Sequence, residues 1–325
     1  MSQTPVTLAN GLVASGAIAE AVALLARAGD AGDVDALMQL AVWHLAGDPV
    51  QRDLVKARAL LRRTVSIGHV DAALMEIALT ANGSGGAPDW TGAVSLLRTA
   101  AVSDPVAEAQ LKLLDAMQID AEGSPGSLPE PEMLGAGSRI LRFPRLFTPA
   151  ECAHVANLAV DMLAPARVVD PRTGRWVAHP IRTADEAPIG PAREDLVVQA
   201  LNKRIAAISG TEAAQGEPLT VLRYRPGQQF RLHSDVLTNT RNQRIATVLV
   251  YLNAGFEGGR TTFPAHRLDI TARPGDAILF RNVDAAGVPD PSMRHSGEPV
   301  VRGTKWLATR WIRARAFSHW TGPEN

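Results

Sequence analysis

The sequence predicts an α+β, multidomain chain: an N-terminal helical repeat array, then a closed or sandwiched antiparallel sheet with flanking helices. Three observations carry this. Alanine and leucine recur at a fixed spacing through the first 120 residues. A stretch rich in proline and glycine then interrupts the pattern. Beyond it the chain consists of short β-branched and aromatic runs separated by turn residues.

Residues 1–120 form the predicted array. Ala21, Ala57 and Ala93 are spaced by 36, as are Leu24, Leu60 and Leu96, and Leu25, Leu61 and Leu97. Asp53 and Asp89 keep the same offset, and so do Asp35-Ala36 and Asp71-Ala72. A period of this size implies stacked helix pairs, each burying an apolar stripe on the next. The alanines let helices approach closely, and the leucines fill the layer between. About three units fit, the outer two degenerate.

Residues 121–131 hold three prolines and two glycines, which cannot continue a helix, so 121–137 is the predicted linker and 138–325 the second domain. There a strand from Ile140 to Phe143 leads to a helix start, with Thr148 as N-cap, Pro149 at the first turn and Glu151 at the third position. A second helix is expected over 191–208, ending near Gly210. Short strands follow, among them 219–224 and 246–252.

Composition bounds the function. The chain has 325 residues, 46% hydrophobic and 20% charged, enough for a sizeable core. With 33 basic and 33 acidic residues, charge gives no reason to expect a nucleic-acid or membrane partner. The single cysteine, Cys152, excludes an intrachain disulfide and is expected to be a buried core thiol. No stretch approaches the ~20 apolar residues of a membrane span, and the first residues do not read as a signal peptide. The expectation is a soluble, cytoplasmic protein.

The chemistry lies in His233-Ser234-Asp235, His295 and Lys305. On a strand, residues i and i+2 share a face, so His233 and Asp235 can hold one metal ion together. His295, from a distant strand, would complete the facial triad of two histidines and one carboxylate found in non-haem Fe(II) oxygenases. His69-Val70-Asp71 has the same pattern but lies in helical sequence, where i and i+2 diverge. Lys305, Leu307, Thr309 and Trp311 alternate onto one face, a mixture suited to a barrel lumen with Trp311 as a wall. A lysine buried there needs a carboxylate partner, and a bound diacid supplies one. His44, His154, His179, His266 and His319 lack partners at metal spacing, and Gly258-Gly259 reads as a tight turn without chemistry of its own.

The run YRPGQQFRLHSD, followed in order by RIATVLVYLNAGFEGGRTTFP, RPGDAILF and DPSMRHSGEPVVRGTKWLATRWIR, resembles the prolyl 4-hydroxylase family of Fe(II)- and 2-oxoglutarate-dependent dioxygenases over about residues 138–316. The resemblance implies a double-stranded β-helix, or jelly roll. It implies His233, Asp235 and His295 as iron ligands, and Lys305 as partner of the far carboxylate of 2-oxoglutarate. Tyr224 and Thr247 fall where the family places hydroxyls that bond that co-substrate, and Arg244 matches an arginine near the peptide. Phe230 stands where relatives often have tyrosine, so collagen-like specificity is not assumed. The implied reaction is hydroxylation of a peptidyl proline in a protein substrate, using Fe(II), 2-oxoglutarate and O2, with ascorbate as reductant, and releasing succinate and CO2. Hydroxylation of a free amino acid or small metabolite is the second reading. A non-catalytic repeat adaptor with a degenerate barrel is the third, and the intact ligand set argues against it. The segment GDVDALMQLAVWHLAGDPVQRDLVKARALLRRTVSIG resembles Sel-one-like repeats, relatives of the tetratricopeptide repeat, which implies that the array helps to hold a protein partner.

Overall fold

The computed structural model describes residues 3–135, 139–169 and 175–322. The chain divides into two compact units, Met1–Met117 with Pro191–Gln199, and Gln118–Gly190 with Ala200–Asn325.

The first unit stacks α1 (Pro5–Ala14), α2 (Ile18–Asp30), α3 (Val34–Ala46), α4 (Leu54–Ser66), α5 (Val70–Asn82), α6 (Trp90–Ala100) and α7 (Pro105–Ala116), each packed on the next. The 36-residue spacing has a direct physical meaning. Ala21, Ala57 and Ala93, and Leu25, Leu61 and Leu97, are all fully buried. The first leucine of each pair is less so: Leu96 is 43% exposed. Asp53 and Asp89 recur because both are N-caps, accepting from Lys56 N at 2.9 Å and Gly92 N at 2.8 Å. His69 is likewise the N-cap of α5, its Nδ1 accepting from Ala72 N at 3.3 Å, so it turns away from metal chelation by a local bond. Glu76 is buried between Arg58 and Arg62, each 2.7 Å away.

The second unit contains α8 (Pro149–Ala159), α9 (Leu196–Ser209, its first turn counted with the helical unit) and sixteen strands among the described residues. These are β1 (Glu132–Met133), β2 (Ile140–Phe143), β3 (Ala164–Pro165), β4 (Arg167–Val169), β5 (Trp176–Ala178), β6 (Asp185–Ile189), β7 (Leu219–Tyr224), β8 (Phe230–His233), β9 (Arg244–Tyr251), β10 (Glu257–Gly258), β11 (Thr261–Phe263), β12 (Leu268–Ile270), β13 (Ala277–Arg281), β14 (His295–Gly297), β15 (Val300–Arg302) and β16 (Lys305–Arg313). The large sheet runs β1-β2-β13-β9-β16-β7-β6-β3, and the small one β12-β11-β14-β8, antiparallel throughout. Residues of both sheets (Leu222, Leu249, Phe263, Phe280 and Leu307 among them) share one buried core. Two antiparallel sheets closed on a common core, with helices outside, make a jelly roll.

Two sequence expectations shift. α9 starts at Leu196 rather than near Pro191, because residues 191–193 form a turn and Asp195 Oδ1 caps Val198 N at 2.9 Å. The expected linker is ordered where described: the Asp120 carboxylate accepts from Glu122 N and Ser124 N at 3.0 and 2.8 Å, and β1 joins the large sheet. Its last two residues, 136–137, and Ser138, where the second domain was expected to begin, lie outside the described residues. α8 carries the expected capping box between Thr148 and Glu151, and Cys152 is buried with its thiol pushed up to about 12 by burial.

Candidate metal centre and co-substrate cavity

His233 ends β8 and His295 begins β14, and the two are cross-strand partners in the small sheet. Asp235 follows two residues after His233, just beyond the strand. Nε2 of His233 stands 3.5 Å from Asp235 Oδ1, and Nε2 of His295 stands 3.8 Å from Oδ2. Ligand atoms of all three lie within 4.8 Å of one another, and all three residues are buried. The separations are at or beyond the limit of a hydrogen bond, and His233 Nε2 has no hydrogen-bond partner among the described residues. A buried polar atom left this way fits a ligand to a metal ion.

Each ligand is oriented from behind. His233 Nδ1 is 2.8 Å from Arg231 O and His295 Nδ1 is 3.1 Å from Met293 O. A carbonyl accepts only from N–H, so each Nδ1 carries the proton and each Nε2 keeps its lone pair for the centre. Thr247 donates to Asp235 Oδ2 at 2.6 Å, and Asn282 Nδ2 donates to Thr247 Oγ1 at 3.0 Å. Phe230 stacks on the His233 ring, 3.4 Å between centroids and 12° between planes. Phe280 and Phe263 flank His295, with centroids 4.6 and 5.3 Å away. These rings pack against both histidines.

Electrostatics suit a dianionic or metal-bound guest. Burial opposes ionisation of Asp235, but His295 and His233, with Arg244, outweigh it and hold the carboxyl well below its usual range. Burial, with His233 adding to it, lowers His295 to about 4 against the opposing pull of Asp235, so the imidazole is neutral and free to ligate.

Lys305 shares the cavity. It is 2% exposed and pairs with Tyr224 across β16 and β7. Its Nζ donates to Gly259 O at 2.7 Å, and no carboxylate partners it among the described residues. The rings of Tyr251 and Tyr224 lie 5.1 and 5.7 Å from the ammonium. Burial lowers its pKa to about 8. Tyr224 lines the cavity too, and burial raises its hydroxyl, so it keeps its proton as a donor. The predicted face of β16 is seen: Lys305, Leu307, Thr309 and Trp311 all line the cavity.

Three placements differ from expectation. Thr247 is not on the cavity wall; its proton is committed to Asp235 and its oxygen to Asn282, which makes it a support of the ligand rather than a contact of the co-substrate. Arg244, expected near the peptide, is committed to an ion pair: it forks onto Glu217 at 2.6 and 2.7 Å and lies 4.2 Å over the Trp311 ring. Gly259 is more than a turn: its carbonyl receives Lys305, and a Cβ there would come within 3.2 Å of Lys305 Cδ. Sequence reasoning passed over Asn282; it placed Thr309 on the lumen face but gave no role to its hydroxyl, which is buried in the cavity with no hydrogen-bond partner among the described residues. Asn282 carries no motif and declares itself only through burial.

A jelly roll holding two histidines, one carboxylate and a buried lysine in one cavity defines a metal-dependent oxygenase that takes a diacid co-substrate. Residues 219–313 match the 2OG-Fe(II) oxygenase superfamily. Prolyl 4-hydroxylase 1 of Arabidopsis thaliana is 34% identical over 208 residues, 58% of this chain and 74% of that protein. The prolyl 4-hydroxylase subunit alpha-1 of Rattus norvegicus is 33% identical over 186 residues, 54% of this chain and 35% of that one. Among solved structures, the viral collagen prolyl hydroxylase from Paramecium Bursaria Chlorella virus-1 is 26% identical, covering 55% of this chain and 98% of that one at a TM-score of 0.46. A Sel1 repeat protein from Oxalobacter formigenes is 22% identical, covering 33% and 85% at 0.29. This chain belongs to the prolyl 4-hydroxylase family of Fe(II)- and 2-oxoglutarate-dependent dioxygenases.

Proposed function

We propose that the chain hydroxylates a proline within a peptide or protein, consuming 2-oxoglutarate and O2, releasing succinate and CO2, and drawing on ascorbate as reductant. The observation that carries the reading is Lys305, a buried ammonium with no carboxylate partner among the described residues, in the same cavity as the three-ligand cluster. The names of the relatives support proline as the target.

His233 and His295 would hold Fe(II) through Nε2, and Asp235 through its carboxylate. Bound Fe(II) supplies the oxidising chemistry. Lys305 binds the far carboxylate of 2-oxoglutarate and Tyr224 donates a further hydrogen bond. Thr247 and Asn282 keep Asp235 in place, and Phe230, Phe263 and Phe280 pack against the two histidines. Trp311 and Arg244 stand on the substrate side. The helical unit holds more distant parts of a protein substrate. A groove lined by Val70, Ile77 and Leu96, with His69 and Asp104 at its polar edge, supports that role.

The test is mass spectrometry of a peptide library after incubation with Fe(II), 2-oxoglutarate and O2. The expected result is a gain of one oxygen on proline. Oxygen gain on free amino acids alone would move the reading to small-molecule hydroxylation.

A further inference from the structure

The helical repeats supply their own comparison. At the spacing of 36, Arg63 on α4 is in register with Thr99 on α6, Gly29 with Val65, and Asp30 with Ser66. Between α2 and α4, Arg63 bridges the two helices. Its Nη2 donates to Gly29 O at 2.8 Å, and its Nη1 lies 3.0 Å from Asp30 Oδ1. Gly29 and Asp30 end α2, where the last carbonyls lack helical partners and the macrodipole favours a cation. One guanidinium thus serves a helix end at two points.

Between α4 and α6 that arginine has no counterpart. Thr99 is exposed and far shorter, and its hydroxyl turns back to Ser95 O at 3.1 Å. A groove of about 230 Å³ stands open there, lined by Val65 of α4, Val70, Ala73 and Ile77 of α5, and Leu96 and Ala100 of α6. It is smaller than the roughly 300–1,000 Å³ of a site for a cofactor or drug-sized ligand, and it suits one or two side chains.

The acceptors that Arg63 uses recur at this junction. Val65 O accepts from Gly68 N at 2.8 Å, just as Gly29 O accepts from Gly32 N at 3.1 Å. A carbonyl has two lone pairs, and at Gly29 the second goes to Arg63. Ser66, the last residue of α4, offers a hydroxyl oxygen where α2 has the Asp30 carboxylate. Charge agrees. The groove is lined by Glu76 and Asp104 and by neither lysine nor arginine among the described residues. Glu76 is answered by Arg58 and Arg62, but Asp104 only caps Ala107 N through Oδ1 at 2.7 Å and keeps its charge at the rim. Val70 and Leu96 are 37% and 43% exposed, an aliphatic surface on which the methylenes of a long cationic side chain can lie.

We propose that this junction binds an arginine side chain of the protein substrate. Its stem lies on Val70 and Leu96, and its guanidinium reaches Val65 O and Ser66 Oγ, the position that Arg63 takes one repeat earlier. A planar fork reaches both acceptors together, which a lysine ammonium does not. That the arginine belongs to the substrate rests on the reading of the helical unit as the part that holds it.

The test measures binding of two labelled synthetic peptides to the full-length protein by fluorescence anisotropy. One carries Leu-Arg-Leu; in its twin, citrulline replaces arginine and keeps the shape without the charge. The arginine peptide is expected to bind at least about tenfold tighter. Thr99→Arg supplies the side chain from the protein itself and should weaken the arginine peptide about tenfold. Thr91→Arg adds the same charge on α6 outside the groove and should change binding less than about twofold. Equal binding of the two peptides, or wild-type binding by Thr99→Arg, overturns the site. Should Thr99→Arg fail to fold, the peptide pair still decides, since it needs only the wild-type protein. The substrate reading has its own measurement. A proline-rich peptide joined to Leu-Arg-Leu by Gly/Ser spacers of several lengths is compared with the proline-rich part alone. Thr99→Arg should raise the KM of the joined peptide about tenfold at the best spacing, leaving kcat and the KM of the short peptide within about twofold. If Thr99→Arg blocks the arginine probe but every KM stays at wild type, the arginine site stands and the substrate-holding reading falls.

Discussion

Thr247 donates its hydroxyl proton to Asp235 across 2.6 Å, and Asn282 donates to the same Thr247 oxygen at 3.0 Å. The chain of donors ends on the one anionic ligand of the cluster. Removing an outer partner of a metal ligand typically costs about 10- to 100-fold in metal affinity. Thr247→Val, which keeps the shape and deletes the hydroxyl, is expected to weaken Fe(II) binding about tenfold. With metal saturating, 2-oxoglutarate affinity should stay within about twofold of wild type. Titration of metal and co-substrate separately checks this. A raised 2-oxoglutarate KM with unchanged metal binding would return Thr247 to the co-substrate.

His233→Ala, Asp235→Ala and His295→Ala are each expected to abolish 2-oxoglutarate decarboxylation while leaving the fold intact, because the facial set has no spare member. Circular dichroism and CO2 release read the two effects. His233→Ala also removes the ring under Phe230, a stack worth about 0.5–1.5 kcal/mol, so a slightly lower melting temperature is expected for that variant. Full turnover by any of the three would remove that residue from the ligand set.

Much of this site is legible in sequence because strand periodicity is strict. Two-residue spacing places His233 and Asp235 together, and the same alternation puts Lys305, Thr309 and Trp311 on one cavity face. The β-branched runs flanking them mark β7 and β9. What sequence hides is which partner a polar side chain chooses. Thr247 lies twelve positions from Asp235 through an irregular loop, and Glu217 precedes a strand with no motif to mark it. In the helical unit the 36-residue spacing reveals the buried alanines and the caps, whereas the 191–199 segment, far away in sequence, carries no repeat signal at all.

Lys305→Ala is expected to raise the 2-oxoglutarate requirement roughly tenfold to a hundredfold, the loss of a charge-assisted contact worth ~1.5–3 kcal/mol. Iron affinity should be nearly unchanged, since Lys305 touches none of the three ligands. Equal 2-oxoglutarate affinity in the variant would move the anchor elsewhere.

The same lysine sets a pH dependence. Burial lowers Lys305 from 10.5 to about 8. The charged form is thus disfavoured in the folded free protein, a penalty of about 3 kcal/mol present below pH 8 and relieved as pH rises from 8 toward 10.5. A bound carboxylate stabilises the ammonium and reverses the shift. Binding above pH 8 therefore requires proton uptake, and 2-oxoglutarate affinity should fall by up to about tenfold per pH unit there. Calorimetry in buffers of different ionisation enthalpy should detect that proton at pH 9 and less of it at pH 7. Affinity flat from pH 7 to 9.5 would mean that Lys305 is already charged throughout.

The last prediction concerns the helical unit. Leu196, Val197 and Val198 are fully buried and belong, by packing, with Met1–Met117. Within that unit Gln199 Nε2 donates to Ala78 O at 3.1 Å, and Asn82 Nδ2 donates to Pro191 O at 2.9 Å. A chain starting at residue 118 loses both bonds and uncovers apolar side chains worth roughly 1.5–3 kcal/mol each when fully buried. It is expected to melt well below the full chain and to scatter light on warming, although all eight proposed metal, co-substrate and substrate residues remain. Restoring residues 1–117 as a separate polypeptide should raise the melting temperature if the segment docks without covalent linkage. A truncated chain that melts with the full-length protein would show that 191–199 needs no helical partner. If it also hydroxylated long and short peptides as well as the full chain does, the helical unit would have no part in holding substrate, and an assembly role would be the better account.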